Sequence, residues 1–251
     1  MLREQVLAQL NDWLQPELVQ DYCPNGLQVQ GQAEIHKVVT GVTASQALID
    51  QAVAAQAHAI IVHHGYFWEG EAEPIVGMKY NRIKTLLEHQ INLIAYHLPL
   101  DIHPEFGNNR QLLNLLGCEA IHAAAGVKPE GILQLGQFVE PISGYELADR
   151  IEFKLGRTLV ACELNEQPIQ RVAVCTGGGQ GFIEQALQAG ADAFITGEVS
   201  EQTIHVAREC GIQFIAAGHH ATERYGVQAL GVKLAQASSL DVEFIDIDNP
   251  A

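Results

Sequence analysis

The sequence predicts an α/β fold of two similar domains produced by internal duplication, and three observations carry that prediction. The stretch "VVTGVTASQALIDQAVAAQAHAIIVHHG" (38–65) has a partner in "VAVCTGGGQGFIEQALQAGADAFITGEVS" (172–200), both ordered as strand, Gly/Thr turn, helix, strand. From Ile49 onward they match without a gap: Ile49 falls on Ile183, Ala52 on Ala186, Ala59 on Ala193 and Ile61 on Ile195, then His63 on Gly197 and His64 on Glu198. More weakly, "TLLEHQINLIAYH" (85–97) resembles "VARECGIQFIAAG" (206–218) as a helix followed by a strand. Each of the four apolar runs that close these segments ends in polar residues. Strand, helix, strand, helix, strand predicts parallel crossover units, and in open α/β sheets ligands bind beyond the carboxyl ends of the strands.

The elements follow in order. "MLREQVLAQLNDWLQPEL" is an amphipathic helix with none of the basic start and apolar centre of a signal peptide. "HAIIVHHG" (58–65) is a β-branched run suited to a strand buried on both faces, ending on two histidines and a glycine. Between the copies, "GILQLGQFVE" and "TLVACEL" are strand-like runs around the amphipathic helix "GYELADRIEFKLG". A boundary near "AAAGVKPEG" (123–131) divides the chain into halves 1–125 and 126–251, with the C-terminal segment available to pack on the first.

With 251 residues, 47% hydrophobic and 18% charged, the chain can bury a sizeable core in one large or two small domains. A formal charge of −16 speaks against a whole-surface grip on a nucleic-acid polymer, which requires Lys and Arg to neutralise phosphates. A small anionic ligand in a local pocket is compatible with it. Five scattered cysteines without a Cys-x-x-Cys pair are expected as reduced thiols of a cytoplasmic protein, and no run approaches transmembrane length.

Seven side chains at these strand ends carry candidate chemistry: His63, His64, His97, Asp101, His219, His220 and Glu223. All are N or O donors without thiolate, a set that suits Zn²⁺, Mn²⁺, Fe²⁺, Co²⁺ or Ni²⁺ and does not choose among them. Successive strand residues point to opposite faces, so His63 and His64 serve one centre only where the strand ends and Gly65 frees the backbone; otherwise they bind two metals. In "HHATE", His219 and Glu223 share a face if a helix starts there. Pro99 disfavours a helix through "HLPLD", so a loop is expected to bring His97 and Asp101 inward. This many donors makes a two-metal centre bridged by a carboxylate more natural than one metal. A single strand-end histidine is more often a hydrogen-bonded structural residue.

The blocks "IIVHHGYFW", "HLPLD", "GNN", "TGGGQGF", "TGEVSEQTIH" and "AAGHHATER" resemble the signature blocks of the NIF-three-like family, whose members carry the name GTP cyclohydrolase type-two homologue. They closely resemble those of the short bacterial YbgI-type members, and the likeness covers essentially the whole chain. It implies a duplicated α/β fold, a toroidal homohexamer, and a dinuclear site of divalent Fe, Zn or Mn between the two domains. Carried over by motif, His63, His64, Asp101, His219 and Glu223 are the implied metal ligands. Longer family members have an inserted middle domain for which this chain has no room.

A bound divalent pair lowers the pKa of water toward neutrality and polarises a substrate oxygen, so hydrolysis is the expected chemistry. His97, left over once ligands are assigned, is the candidate general acid/base or outer partner of the metals. His220 has the same two readings, with a surface or outer role favoured. Glu198 falls where the repeat places His64 and could approach the metals, whereas Ser200 reads as an N-cap and Glu201 as a favourable helix-start charge. "TGGGQGF" can cradle phosphate on backbone N–H groups but lacks the Gly-Lys-Ser/Thr ending of a P-loop. Tyr66, Phe67 and Trp68 could stack a base, with Lys79, Arg82 and Lys84 nearby for phosphate, although at least one of the aromatics is expected in the core.

Two functions fit. One is a metal-dependent hydrolase of a nucleotide-like substrate, as GTP ring opening suggests. The other is a non-catalytic metal-binding ring or scaffold, connected with DNA damage response.

Overall fold

A computed structural model describes residues 1–251 and forms two compact units. The first is Met1–Leu100 with Val227–Asp248, the second Asp101–Gly226 with Asn249–Ala251. Eleven strands run in chain order as β1 (Gly26–Val29), β2 (Lys37–Thr43), β3 (Ala59–His64), β4 (Asn92–Ala95), β5 (Glu119–Ala123), β6 (Gln134–Ile142), β7 (Ala161–Glu163), β8 (Ile169–Cys175), β9 (Ala193–Thr196), β10 (Gln213–Ala216) and β11 (Asp241–Phe244). No helix is long and apolar enough to cross a membrane.

The first unit holds a five-stranded sheet in the order β1-β4-β3-β2-β11. β2, β3 and β4 are parallel to one another, β11 is parallel to β2, and β1 closes the other edge antiparallel to β4. Parallel strands are covered on both faces, which is why β3 is buried along nearly its whole length. Alternation places Ile60 and Val62 among Leu48, Ile49 and Ala52 of the helix Gln46–Ala54 and Ile83 and Leu86 of the helix Gly77–Glu88. Ser45 caps the first of these helices by accepting from the Leu48 N–H. The N-terminal helix Arg3–Leu14 is tied to the end of β4, where the Tyr96 hydroxyl donates to Asn11 Oδ1 at 2.5 Å.

The second unit holds a six-stranded sheet in the order β5-β6-β8-β9-β10-β7. β8, β9 and β10 repeat the parallel set β2, β3 and β4, and antiparallel strands flank them on both sides. Leu112, Leu113 and Leu116 of the helix Asn108–Leu116 and Leu147, Ile151 and Leu155 of the helix Gly144–Leu155 pack on Val172, Val174, Ile195 and Ile215. The helix Gly144–Leu155 starts on a Ser143 cap to the Glu146 N–H and ends at Gly156 in the left-handed conformation.

The compact units change over at 100/101, at 226/227 and at 248/249. Residues 101–125 group with the second unit because their helix buries its leucine face in that core. Residues 227–248 group with the first because β11 extends its sheet beside β2.

Candidate metal and acid/base sites

In the first unit, three imidazoles gather beyond the ends of adjacent parallel strands. His63 and His64 end β3, and His97 lies two residues past β4. Their ring centroids are 4.6 Å apart for His63 and His64, 5.0 Å for His63 and His97, and 5.7 Å for His64 and His97. Each ring is held through Nδ1. His63 Nδ1 bonds the Tyr96 carbonyl at 3.1 Å, His64 Nδ1 the Thr43 hydroxyl at 3.2 Å, and His97 Nδ1 the Asp21 carboxylate at 2.9 Å. A carbonyl and a carboxylate only accept, so in neutral His63 and His97 Nδ1 carries the proton and Nε2 the lone pair. One ring nitrogen from each of the three lies within 4.8 Å of the others. This is the anchoring that metal-binding histidines ordinarily have, with the far nitrogen committed to a protein acceptor.

Gly65 serves this corner by close approach, not by backbone freedom. A Cβ there would stand 2.1 Å from Gln28 Oε1, the atom that accepts from the Tyr66 N–H at 2.7 Å.

Asp21 is a residue of this corner that motif and spacing did not single out. Its carboxylate accepts from His97 Nδ1 and the Leu98 N–H at 2.9 Å, from Asn25 Nδ2 at 3.0 Å and from the Tyr22 N–H at 2.8 Å, and its side chain is 3% exposed. Burial raises its pKa, but the hydrogen bonds from His97 and Asn25 outweigh that and hold it below the usual carboxylate value. Cys23 also lies close enough to share a metal with Asp21 and His97. Burial and then the Asp21 charge push that thiol up to about 12, however, and the carboxylate is saturated by donors, so this trio reads as a hydrogen-bonded cluster. Because Asp21 is depressed in the folded protein, its contribution is present above the unfolded carboxyl value and lost as pH falls through the folded one. Asp21→Asn is therefore expected to destabilise the protein by about 1–3 kcal/mol at neutral pH, with the gap to wild type closing below about pH 4. Urea unfolding of both proteins across that range checks it.

In the second unit the equivalent strand ends carry Thr176 and Gly177 after β8, Glu198 after β9 and His219 after β10. "HHATE" forms a one-turn helix, His219–Thr222, so His219 and Glu223 share a face with Nε2 to Oε2 at 3.2 Å. Glu198 accepts from His219 Nδ1 at 2.7 Å and so anchors that ring as Asp21 anchors His97. Burial disfavours the His219 imidazolium, yet the Glu223 and Glu198 carboxylates outweigh it and push the pKa up to about 9. Asp101 and Glu223 are buried, at 5% and 3% exposure, with carboxylate oxygens within 4.8 Å of each other. Cys175, fully enclosed beside them, is pushed well above the usual thiol value by burial and then by both negative charges. So much buried negative charge suits a cation.

"HLPLD" departs from the expected loop. Leu98–Asp101 is a single helical turn, which Pro99 tolerates because it sits in the first turn, where an N–H has no helical acceptor. Asp101 Oδ1 accepts from Asn108 Nδ2 at 2.9 Å, and the Thr176 hydroxyl lies at 3.5 Å. Ser200 occupies the predicted cap of the helix Glu201–Cys210, but its hydroxyl bonds the Thr203 hydroxyl at 2.7 Å instead of a backbone N–H. His220 is buried, with its backbone N–H on the Ala251 carbonyl.

The aromatic triplet separates. Tyr66 is core, its hydroxyl on the Ala44 carbonyl. Phe67 is exposed beneath Lys79, which bridges Glu71 at 3.4 Å. Trp68 packs edge-on to His97 at 4.9 Å, and Tyr22, distant in sequence, lies 5.4 Å from the same imidazole. Nothing in the composition of "DYCPNG" marks Asp21 or Tyr22, because they meet His97 only through the fold.

Known proteins share this sequence and fold. The chain is 57% identical over 243 residues to a GTP cyclohydrolase 1 type 2 homolog of Yersinia pestis, covering 96% of each protein. Its fold matches a structure described as protein ybgI of unknown function, with TM-score 0.95, 53% identity and full coverage of both chains. It also matches the crystal structure of TTHA1606 from Thermus thermophilus, with TM-score 0.90, 32% identity and full coverage of both chains. The model of the Duf34/NIF3 (NGG1p interacting factor 3) family spans residues 1–250, and the chain belongs to that family.

Proposed function

We propose that the chain is a metal-dependent hydrolase acting on a nucleotide or related heterocycle. His63, His64, Asp101, His219 and Glu223 are the ligands of two divalent ions, iron, zinc or manganese, and His97 is the general acid/base. The observation that carries this reading is the common anchoring of the histidines: Nδ1 of His63, His97 and His219 is spent on an oxygen that only accepts, which makes Nε2 the nitrogen that can offer a lone pair. The donors are all N and O, and the Asp101 and Glu223 carboxylates supply the charge that a cation needs. The proton between His219 Nε2 and Glu223 is the one a divalent ion would displace.

A bound divalent pair would contribute Lewis acidity and a more acidic water. The chain's own contribution is position. Trp68 and Tyr22 border His97 and suit a planar heterocycle, and His97 is held where a proton can be taken or returned. The name carried by the Yersinia relative points to the same substrate class. Five free cysteines suit a cytoplasmic protein, and the acidic charge suits a small substrate over a nucleic-acid polymer.

Metal content and GTP turnover of the purified protein test this reading. Two divalent ions per chain, removed by a chelator with loss of turnover and restored with it on adding zinc or manganese, are the expected result. Turnover indifferent to chelation would refute it. The alternative, a metal-binding ring without catalysis, draws on the exposure of Val76, Met78 and Phe153 at 69%, 66% and 83%, surface that self-association into a homohexamer would cover. Two bound ions with no turnover and a hexameric mass in solution would favour it.

A further inference from the structure

His97 is gripped at three points by one short segment. Asp21 Oδ1 takes its ring Nδ1, Asp21 Oδ2 takes the next backbone N–H, and Asn25 Oδ1 takes the His97 N–H at 2.8 Å while its own amide donates to Asp21 at 3.0 Å. Tyr22 and Trp68 border the ring, with interplanar angles of 60° and 85°. We propose that Asp21 is the positioning residue of His97: by accepting the Nδ1 proton it holds the imidazole in the tautomer whose lone pair is on Nε2, beside the His63 and His64 rings. A carboxylate has no proton to give, so the imidazole supplies the one in this bond.

The catalytic consequence rests on the hydrolase reading above. In a hydrolysis, Nε2 accepts the proton that the attacking water loses as its oxygen bonds the substrate carbon, and the same proton goes to the leaving nitrogen when the ring bond breaks. A histidine with its proton on Nε2 cannot begin that cycle. An amide at position 21 can turn its NH₂ toward Nδ1 and impose that wrong tautomer, as loss of the carboxylate does in a Ser-His-Asp triad.

The test is nitrogen NMR of ¹⁵N-histidine-labelled, zinc-loaded protein, with the His97→Gln variant assigning the resonance and GTP turnover measured alongside. In the wild type, the His97 Nδ1 shift is expected to be that of a protonated nitrogen and the Nε2 shift that of a bare one. In Asp21→Asn the two are expected to exchange, with zinc content unchanged and kcat reduced roughly 10²–10⁴-fold at similar KM. Asp21→Glu, which keeps the acceptor, should retain the wild-type pattern and part of the activity. A wild-type His97 protonated on Nε2 overturns the proposal without recourse to any variant, and so does an Asp21→Asn protein with the wild-type tautomer. A tautomer exchange that leaves kcat unaltered overturns its catalytic part. Absence of turnover in the wild type would sink the hydrolase reading instead, and the ring-nitrogen shifts alone would then decide the role of Asp21.

Discussion

Asp101→Asn is expected to weaken divalent-metal binding by about 100-fold or more, yet to raise the melting temperature of the metal-free protein. Loss of a group that merely orients a ligand already costs roughly 10–100-fold in affinity, so loss of a ligand should reach or exceed the upper end. The opposite sign in the metal-free protein follows from charge. Asp101 and Glu223 are two buried carboxylates within 4.8 Å, like charges that repel when both are ionised, and His219 pairs with Glu223 at 3.2 Å. The amide removes one negative charge, and its carbonyl still accepts from Asn108 Nδ2, now 2.9 Å from Asp101. Excess metal should then reverse the order, because the wild type gains more binding free energy: about 2.7 kcal/mol at a concentration 100 times its Kd, where a 100-fold weaker variant gains only about 0.4 kcal/mol. Thermal melts with and without zinc, together with metal analysis, give both readings. Equal metal content in the two proteins would remove Asp101 from the ligand set. A lower melting temperature for the metal-free variant would mean that the hydrogen bonds at Asp101 outweigh the repulsion.

Gly177→Ala should empty the site while leaving the fold in place. Gly177 has φ +64°, and a Cβ there would stand 2.0 Å from Glu223 Oε1 and 3.1 Å from His219 Nε2. The backbone strain costs roughly 1–3 kcal/mol, within what a domain tolerates. The clash is relieved by swinging the end of the Glu223 side chain away, which breaks its pairing with His219 and is damaging for function. Gly177 is also a junction: its N–H donates to the Thr222 hydroxyl at 3.0 Å, and its carbonyl accepts from the Gly197 and Glu198 N–H groups at 2.9 and 3.2 Å. A shift of an ångström at such a point can cost on the order of 10²-fold in activity. Circular dichroism should therefore look native while metal uptake and turnover fall together; uptake equal to wild type would show that Glu223 is not needed where it stands.

The fold class and the strand-end histidines are legible in the sequence because they are one-dimensional facts. A β-branched run of strand length, a gapless match from Ile49 to Ile183 and the i, i+4 spacing of His219 and Glu223 all survive projection onto the chain. The "HLPLD" turn is not legible in the same way, because a proline's effect depends on its position within a helix, and that position becomes visible only once the turn's first residue is known. Gly65 reads in sequence as backbone freedom, whereas the approach of Gln28, from another strand, is what forbids a side chain there. A chain boundary at 125/126 follows the repeat, while compactness follows burial: the leucines of 112–116 belong to the core they fill.

Sequence alone determined the strands of the repeat, their duplication and the kinds of donor atom placed at their ends, because period and residue type are local properties. Tertiary structure decided which nitrogen of each histidine is committed and to what. Asp21 reaches His97 across 76 residues and Thr176 reaches Asp101 across 75. A hydrogen bond acts over about 3 Å of space, and no spacing in the chain records that distance.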